Sequence, residues 1–560
     1  MFAQHPKAKA RRAAAEGAVL LALAGAAWLL YGSVLRLWWT GDDFFHLRFQ
    51  LTHRPLWYIF DSAGYRDFPS RLLTPLLFLS LDLDRWLFGL EPRPFYVHQL
   101  LSLSLCPPAL YAVLRLWLRR SWSAAGAWLF LIGPVTASLA LVLAHHYVET
   151  LLLSALAVAA WAAALYRNGG RAWRWTWLSA LLYFAACMAK EIAVPFVAVL
   201  PFLPVPAGAP QSGFRQRSRL AMPHAAAALL YLGLRYAVLG TPFGGYGFIA
   251  SGSSLPRLAL ELPGKIAAQI VGGRLSPAAV LFGAVLAVGI LALLLMRGWK
   301  ATALFAFALI LAALPALPVS TRMEPRYALP AWLVVAVAFA AGCRTLAAAR
   351  RRTGAALALA ACASGLWLNR QDWAVRFARV ERMSAENRFL LEMRKEDVLR
   401  HPLTLAASLR ELAWMKEAVF HRPPGGGWFQ DDLYLCVHRG RLGRVWGYDE
   451  ASHRIVDLAP SIPALRARHC SSIRRAPLKA SFRFAGEDLF WNLGPYDDGR
   501  YRFVLADGAE AYDMPRRAGF KVGRLDVLPL RIEYVSPAGW VTYSPELRLR
   551  EGASLRWARP

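Results

Sequence analysis

The sequence lacks a continuous basic patch, although Lys and Arg number 65 against 36 Asp and Glu and give a formal net charge of +29. A protein that binds nucleic acid concentrates its basic residues on one surface. Here they form short clusters between apolar segments, so the charge does not indicate a nucleic-acid partner. The sequence also lacks an internal repeat and a long low-complexity tract.

Cysteine is scarce, with six residues scattered along 560. Four of them stand singly in apolar segments, where cysteine behaves as a small buried hydrophobe, at Cys106, Cys187, Cys343 and Cys362. Cys436 and Cys470 share the C-terminal part of the chain. They could form a disulfide if that part is extracytoplasmic, but the sequence does not establish their separation.

Apolar and aromatic residues are abundant instead: 57% of the chain is hydrophobic, with 22 Trp and 29 Phe. The mean hydropathy is +0.33, so a soluble globular protein is a poor match to the composition. Segments such as residues 17–37 and 276–296 have the length that a helix needs to cross a bilayer. After about residue 368 the sequence becomes Arg-rich and turn-rich, which predicts a soluble domain.

Charge placement predicts the orientation of the spans. Lys7, Lys9, Arg11 and Arg12 precede the first apolar segment, so the N-terminus is expected in the cytoplasm. A cleaved signal peptide is the alternative, disfavoured because the apolar run is long and ends in an aromatic pair. The turns predicted to face the cytoplasm are mainly basic, whereas the clusters that contain Asp or Glu fall on the opposite side of the membrane. We therefore predict a polytopic α-helical membrane protein with about 11 transmembrane helices, the N-terminus inside and the C-terminus outside.

Three regions follow from this pattern. Residues 1–370 are predicted to be the transmembrane domain, and residues 38–95 within it a first extracytoplasmic loop with interfacial helices. Residues 371–425 are predicted to be a helical linker, and residues 426–560 a β-rich extracytoplasmic domain of α+β type. Strands are expected at 479–484, 500–505 and 540–549, with a hairpin turn at 497–499, and a β-sandwich is the simplest arrangement.

Chemically versatile side chains collect at the predicted outer turns. They combine acid-base groups with fixed cations, at Asp42, Asp43, His46, His145, His146, Glu149, Lys190, Glu191, Arg322, Glu324, Arg326 and Tyr327. Transfer of a sugar from a lipid-linked phosphate to a hydroxyl would use this set. A carboxylate removes the hydroxyl proton, and Arg and Lys stabilise the charge on the departing phosphate. One working carboxylate suffices, because phosphate leaves without protonation by an acid.

Simpler interpretations exist for these groups. Asp42 and Asp43 could cap an interfacial helix, and Lys190 with Glu191 could be a snorkelling ion pair. Arg322 and Arg326 could anchor lipid headgroups. His145, His146 and Glu149 could bind a divalent metal, but histidines at a membrane boundary more often make local hydrogen bonds, so local bonding is the favoured interpretation. A solvated face of the first loop is expected at Asp82, Asp84 and Arg85.

Several short motifs resemble the GT-C membrane glycosyltransferases. The resemblance covers roughly residues 17–335 and includes protein O-mannosyltransferases, the aminoarabinose transferase acting on lipid A, and the membrane part of the transmembrane tetratricopeptide O-mannosyltransferases. The motifs are Gly41-Asp42-Asp43, the segment 70–76 that contains Arg71, the segment 89–98, Lys190-Glu191, and the segment 324–330. The chain departs from the pattern at His145-His146, where many relatives carry an Arg and an acid, and it has no tetratricopeptide tail.

The resemblance implies a polyprenyl-phosphate sugar donor, inversion at the anomeric carbon, and Asp42 or Asp43 as the base, with Asp42 favoured. It implies that Arg326 holds the donor phosphate, together with Lys190 or Arg322. Tyr327 is expected beside Arg326 in the same site. Substrate contacts are expected from His46, Arg71, His145, His146, Glu149, Glu191 and Glu324. The expected location is the bacterial inner membrane, among membrane lipids, and the acceptor is left open as protein, lipid or glycan. No cofactor is required, although a divalent metal is compatible with the residues.

Two other classes of function compete with this interpretation. A transporter or flippase of lipid-linked sugars would need polar residues inside several spans and usually shows inverted repeats. Here the polar groups collect at one face. A membrane-anchored sensor or assembly protein would act through the C-terminal domain, but an anchor does not require about 11 spans.

Overall fold

A computed structural model shows a helical part up to residue 392 and a strand-rich part after it. The structure describes residues 6–53, 57–67, 72–143, 145–167, 169–206, 208–210, 213–241, 255–273, 276–392, 403–406, 427–429, 431–438, 444–449, 451–485, 488–508, 510–521, 527–550 and 553–560.

The described helices run in this order: α1 Pro6–Tyr31, α2 Asp43–Thr52, α3 Ser62–Asp67, α4 Pro75–Phe88, α5 Pro92–Leu114, α6 Arg120–Ile132, α7 Pro134–Ala140, α8 His145–Leu165, α9 Gly169–Ala189, α10 Phe214–Leu239, α11 Leu255–Ile270, α12 Pro277–Arg297, α13 Trp299–Ala313, α14 Leu329–Ala349, α15 Arg351–Glu392, α16 Leu433–Val437 and α17 Ile462–Ser472.

Seven helical segments among the described residues are long and apolar enough to cross a membrane. They are Ala13–Arg36, Pro92–Leu114, His145–Leu165, Phe214–Leu239, Pro277–Arg297, Trp299–Ser320 and Pro325–Ala349, and α6 with α7 adds an eighth if the bent pair is one span. The remaining predicted crossings fall on α9, on the segment that follows it, and on the first half of α15. The prediction of a polytopic α-helical membrane protein is confirmed.

The bend between α6 and α7 is 59° and lies at Gly133-Pro134. A Cβ atom on Gly133 would overlap the ring of Trp332 on α14, so the ring packs directly against the backbone at the bend. Trp332 also donates from Nε1 to the carbonyl of Phe130 at 3.1 Å. Pro134 occupies the start of α7, where a missing N–H costs no helical bond.

The segment that follows α9, which is one of the predicted crossings, is not an α-helix. It consists of two 3₁₀ segments, Glu191–Ala198 and Leu200–Phe202. Pro195 lies inside the first segment, and Pro201 inside the second. Proline lacks the N–H that an α-helix needs in its interior. The tighter winding of a 3₁₀-helix rises about 2.0 Å per residue, so these residues reach further than the same number in an α-helix.

Helix α15 joins the predicted last crossing to the predicted linker without a break. It contains 42 residues and is therefore about 63 Å long, roughly twice the thickness of a bilayer core. The predicted boundary at residues 370 and 371 falls inside it. Within the predicted helical linker at 371–425, residues 403–406 form a strand, whereas residues 393–402 and 407–425 lie outside the described part.

The strands are β1 Leu403–Ala406, β2 Gly427–Phe429, β3 Arg444–Asp449, β4 Arg454–Asp457, β5 Leu478–Ala485, β6 Asp488–Gly494, β7 Arg500–Leu505, β8 Glu510–Met514, β9 Arg517–Lys521, β10 Val527–Val535, β11 Val541–Tyr543, β12 Leu547–Arg550 and β13 Ser554–Arg559. One sheet has the order β13-β5-β6-β9, and a second has the order β11-β10-β7-β8, with β12 also paired to β10. A third has the order β2-β1-β3-β4.

The first two sheets pack face to face, as the β-sandwich prediction requires. The ring of Phe503 on β7 lies 5.8 Å from Phe482 and 5.2 Å from Trp491, which belong to the opposite sheet. The predicted hairpin turn at 497–499 is wrong, because β6 and β7 lie in different sheets and do not pair. Residues 497–499 form part of the connection between the two sheets.

Cys436 and Cys470 form a disulfide, with their Cα atoms 5.8 Å apart. Cys436 lies on α16 and Cys470 on α17. The bond therefore ties together the two short helices of the C-terminal part. The remaining four cysteines carry free thiols.

Candidate active site

The turn before α2 gives its two adjacent carboxylates different environments. Gly41 adopts a positive φ of 48°, which brings Thr40 back over the first turn of α2. The Thr40 N–H then donates to Oδ2 of Asp43 at 2.9 Å, and the side chain of Asp43 is buried. Burial raises the pKa of Asp43 to about 7, against the opposing effect of the Thr40 hydrogen bond. The side chain of Asp43 therefore stabilises the turn before α2.

Asp42 is exposed and faces a cation from the distant turn before α14. Its side chain is 54% exposed, and its Oδ2 lies 2.9 Å from Nη2 of Arg326, which is only 16% exposed. The same Nη2 lies 2.9 Å from Glu324, and the guanidinium lies over the ring of Tyr327 at 5.5 Å. Asp42 is the N-cap residue of α2 but makes no capping hydrogen bond with its side chain.

Lys190 brings a second cation to the same region. It lies at the end of α9, is 1% exposed, and its Nζ is 3.3 Å from Glu191 and 5.3 Å from the centre of the Tyr147 ring. Burial lowers the pKa of Lys190, and the Glu191 carboxylate opposes this. The ion pair expected from the sequence is therefore present, but its amine is buried rather than extended toward water.

His46 on α2 lies within the electrostatic field of these groups. Burial lowers its pKa to about 4; the Asp42 carboxylate opposes this, whereas the Arg326 and Lys190 cations add to it. The imidazole is consequently neutral at pH 7. Its ring centre lies 6.2 Å from that of His146 on α8. Asp42, His46, Lys190 and Arg326 thus belong to one cluster, although they come from three separate segments: α2 with its N-cap, the end of α9, and the turn before α14.

A third buried cation was not predicted. Arg235 lies on α10, is 2% exposed, and interacts electrostatically with Lys190. It also bonds to the side chain of Tyr231. The available signal was an arginine within an apolar span, which is costly to bury and usually has a task.

His145, the neighbour of His146, faces a different set of groups. Its Nδ1 lies 3.2 Å from Ser80 and 3.8 Å from Asp84, both on α4. Asp84 in turn lies 2.8 Å from Nδ1 of His98 on α5. The expectation of a solvated face at Asp82 and Asp84 is wrong, since both side chains are buried. The apolar residues beside them on α4 pack onto the spans and carry these carboxylates inward.

Two predicted site residues cannot be placed. Arg71 lies outside the described residues, and so does the side chain of Arg322. The other predicted residues divide into two groups. One surrounds Asp42 and Arg326, and the other surrounds Asp84.

Comparisons with known proteins gave structural similarities alone. No protein-family model matches the sequence, and no curated protein matches it significantly. The apo form of an oligosaccharyltransferase from Archaeoglobus fulgidus matches with a TM-score of 0.45 at 13% identity, over 89% of this chain and 74% of that one. The archaeal oligosaccharyltransferase AglB from Archaeoglobus fulgidus, in complex with an inhibitory peptide and a dolichol-phosphate, matches at 0.43 and 12% over the same shares.

ArnT from Cupriavidus metallidurans, bound to undecaprenyl phosphate, matches with a TM-score of 0.42 at 13% identity, over 83% of this chain and 92% of that one.

Proposed function

We propose that this protein is an inverting glycosyltransferase. It moves a sugar from a polyprenyl-phosphate donor to an acceptor hydroxyl at the extracytoplasmic face of a bacterial inner membrane. The observation that carries the proposal is the pair formed by Asp42 and Arg326, in which an exposed carboxylate lies 2.9 Å from a largely buried guanidinium. Asp42 is thus accessible to an acceptor hydroxyl, and the adjacent Arg326 can bind the phosphate of the donor.

Asp42 is the group we assign as base. An exposed carboxylate can reach an acceptor hydroxyl and remove its proton while the bond to the anomeric carbon forms. Attack on the face opposite the phosphate inverts the anomeric configuration. Asp43 is unsuited to this task, because its carboxyl is buried and its Oδ2 is engaged by Thr40.

The donor phosphate would bind among Lys190, Arg235 and Arg326. Three carboxylates, those of Asp42, Glu191 and Glu324, lie beside two of these cations, Lys190 and Arg326. A phosphate that reaches Arg326 competes with Asp42 for Nη2. Donor binding would thereby release the Asp42 carboxylate for the acceptor, and the cations would stabilise the phosphate as it departs. His46, His146 and Tyr327 would complete the walls of the pocket.

The disulfide supports the proposed side of the membrane. Bonds such as Cys436–Cys470 persist in oxidising compartments and are rare in the cytosol. The C-terminal part would therefore lie outside the cytoplasm. Trp38 donates its N–H to Ser384 of α15 at 2.5 Å, so the first loop, which lies beside the C-terminal half of that helix, would be on the same side.

The test is transfer by membrane vesicles that contain the protein and a panel of radiolabelled polyprenyl-phosphate hexoses and pentoses. Replacing Asp42 with Asn should lower turnover by about 10²- to 10⁴-fold, the usual contribution of a general base. Asp61→Asn is the matched control, because Asp61 is a carboxylate of the same loop that bonds locally to Gly64 and His53. Undiminished transfer by Asp42→Asn would refute the assignment of the base.

A further inference from the structure

A second cluster of ionisable groups lies between α4, α5 and α8. Asp84, His98 and His145 each present a potential ligand atom, and these atoms lie within 4.8 Å of one another. Among the residues that the structure describes, this is the one group with such spacing. His145 and Asp84 are buried, and the side chain of His98 is 32% exposed. None of the three takes part in the proposed transfer step.

The surroundings of His145 fix the state of its ring. Nε2 lies 3.3 Å from the carbonyl oxygen of Phe95, an acceptor, so Nε2 carries the proton and donates it. Nδ1 of the neutral ring then has a lone pair, and this atom lies 3.8 Å from the carboxylate of Asp84. A backbone carbonyl on the far nitrogen is the usual support of a histidine that binds a metal.

Glu149 adds a further acceptor to this region. It follows His145 by four residues on α8, so the two side chains share a helix face. Its carboxylate bonds to Ser80, whose hydroxyl also lies 3.2 Å from Nδ1 of His145. Ser80 has one proton for these two acceptors. Oε2 of Glu149 is buried without a hydrogen-bond partner among the described residues.

We propose that Asp84, His98 and His145, with Glu149 as the fourth ligand, bind a divalent transition metal ion of the zinc class. Two imidazoles and carboxylates suit zinc, whereas magnesium and calcium prefer oxygen ligands alone. At zinc distances of about 2.1 Å, tetrahedral ligands lie about 3.4 Å apart. The separations of 2.8 Å and 3.8 Å from Asp84 to the two histidines lie on either side of this value.

Binding would replace a proton with the ion. In the metal-free arrangement Nδ1–H of His98 donates to Asp84. A ligating nitrogen must be deprotonated, so the proton leaves to water as the ion bonds to Nδ1 and to the carboxylate. The partly exposed side of His98 provides the entry path.

The ion would fasten the first loop to the transmembrane helices. Asp84 belongs to α4 of that loop, whereas His98 and His145 belong to the spans α5 and α8. His146, the residue after His145, approaches His46 of α2. The proposed metal site would therefore help to position His146 and His46 in the wall of the donor pocket, and the ion itself would not contact the reacting atoms.

The experiment measures metal in the full-length protein after purification in detergent without chelator. Elemental analysis should find about one zinc equivalent per chain, and Asp84→Asn and His145→Gln should lose it. Asp61→Asn and His53→Gln are matched controls, since they disrupt another histidine–carboxylate pair of the first loop, 3.4 Å apart, and should retain the metal. Loss of metal in the controls as well would contradict the assigned ligands.

A second measurement uses the unaltered protein, so that misfolded variants do not decide the result. After treatment with EDTA, addition of zinc chloride should raise Tm, because a ligand that binds the folded state stabilises it. Magnesium chloride at the same concentration should leave Tm unchanged. Substoichiometric metal in the purified protein together with no response of Tm to zinc would overturn the proposal. The result does not depend on transferase activity.

Discussion

Asp42 and Asp43 differ by their hydrogen bonds and their burial, not by their chemistry. Asp43 points inward because its Oδ2 accepts the Thr40 N–H, and Asp42 is left at the surface toward Arg326. The sequence predicts that one of the two is the base. It does not specify which, because the choice depends on the positive φ at Gly41 and on the direction in which the chain leaves α1.

At the residue scale we predict that Asp43→Asn changes how stability depends on pH. Burial raises the pKa of Asp43 from an ordinary 3.8 to about 7. Between these values the unfolded chain loses the proton and the folded chain keeps it, so this group lowers stability as pH rises from about 4 to 7. Asparagine has no such penalty and can still accept the Thr40 N–H.

The Tm of the Asp43→Asn variant relative to the natural protein should therefore increase from pH 5 to pH 8. The largest stabilisation expected is about 4 kcal/mol, given about 1.36 kcal/mol per pKa unit. Thermal unfolding in detergent at both pH values provides the measurement, with Asp61→Asn for comparison. A difference in Tm that is constant with pH would show that Asp43 is already ionised in the folded protein.

Residues next to each other on a helix can serve different sites, as His145 and His146 show. Successive side chains on a helix point about 100° apart, so His145 faces Asp84 whereas His146 faces His46. From the sequence, both are candidate metal ligands together with Glu149, and local hydrogen bonding is the favoured interpretation. Asp84 and His98 are not grouped with them, since the periodicity of α4 alone does not identify which neighbours will cover its carboxylates.

Among the elements, α15 connects the transmembrane helices with the first loop. Its C-terminal half accepts the N–H of Trp38 at Ser384, at 2.5 Å, and donates from Asn387 to the carbonyl of Trp39 at 2.8 Å. Trp38 and Trp39 immediately precede the turn that carries Asp42. A helix from the end of the membrane part thus fixes the backbone near the proposed base.

We predict that the double variant Ser384→Ala, Asn387→Ala lowers turnover about 10- to 100-fold, because small displacements of catalytic groups are costly. The measurement is the vesicle transfer assay, normalised to the amount of folded protein. Ser364→Ala is the matched control, as the Ser364 hydroxyl bonds within α15 to the carbonyls of Ala360 and Ala361. Normal turnover in the double variant would show that α15 does not help to position the site.

The elements themselves were predictable to different degrees. Apolar length identified the membrane helices, and alternation at residues 479–484 identified β5, Leu478–Ala485. The single helix α15 was divided in the prediction, because its apolar first half and charged second half look like two elements. The sheet order was not predictable either. Pairing of β6 with β5 and β9 depends on contacts between strands that a local pattern does not contain.

For the whole molecule, the separation of basic and acid-containing turns predicts one orientation. A reporter enzyme that is active only outside the cytoplasm, fused after Glu392 at the end of α15, should be active. The same reporter fused after Arg297 at the end of α12, a predicted inner turn, should be inactive. Activity only at Arg297 would reverse the orientation and would place Asp42 on the cytoplasmic side.

The ion pair between Asp42 and Arg326 joins residues that are 284 positions apart in the chain. At synthesis rates of about 5 to 20 residues per second, roughly 15 to 60 s separate their emergence from the ribosome. The base is made early, and the cation beside it is among the last parts of the membrane region to be inserted. Ser384 and Asn387 follow later still. Under the proposed function, a nascent chain would therefore meet lipid-linked sugars for most of its synthesis without being able to consume them.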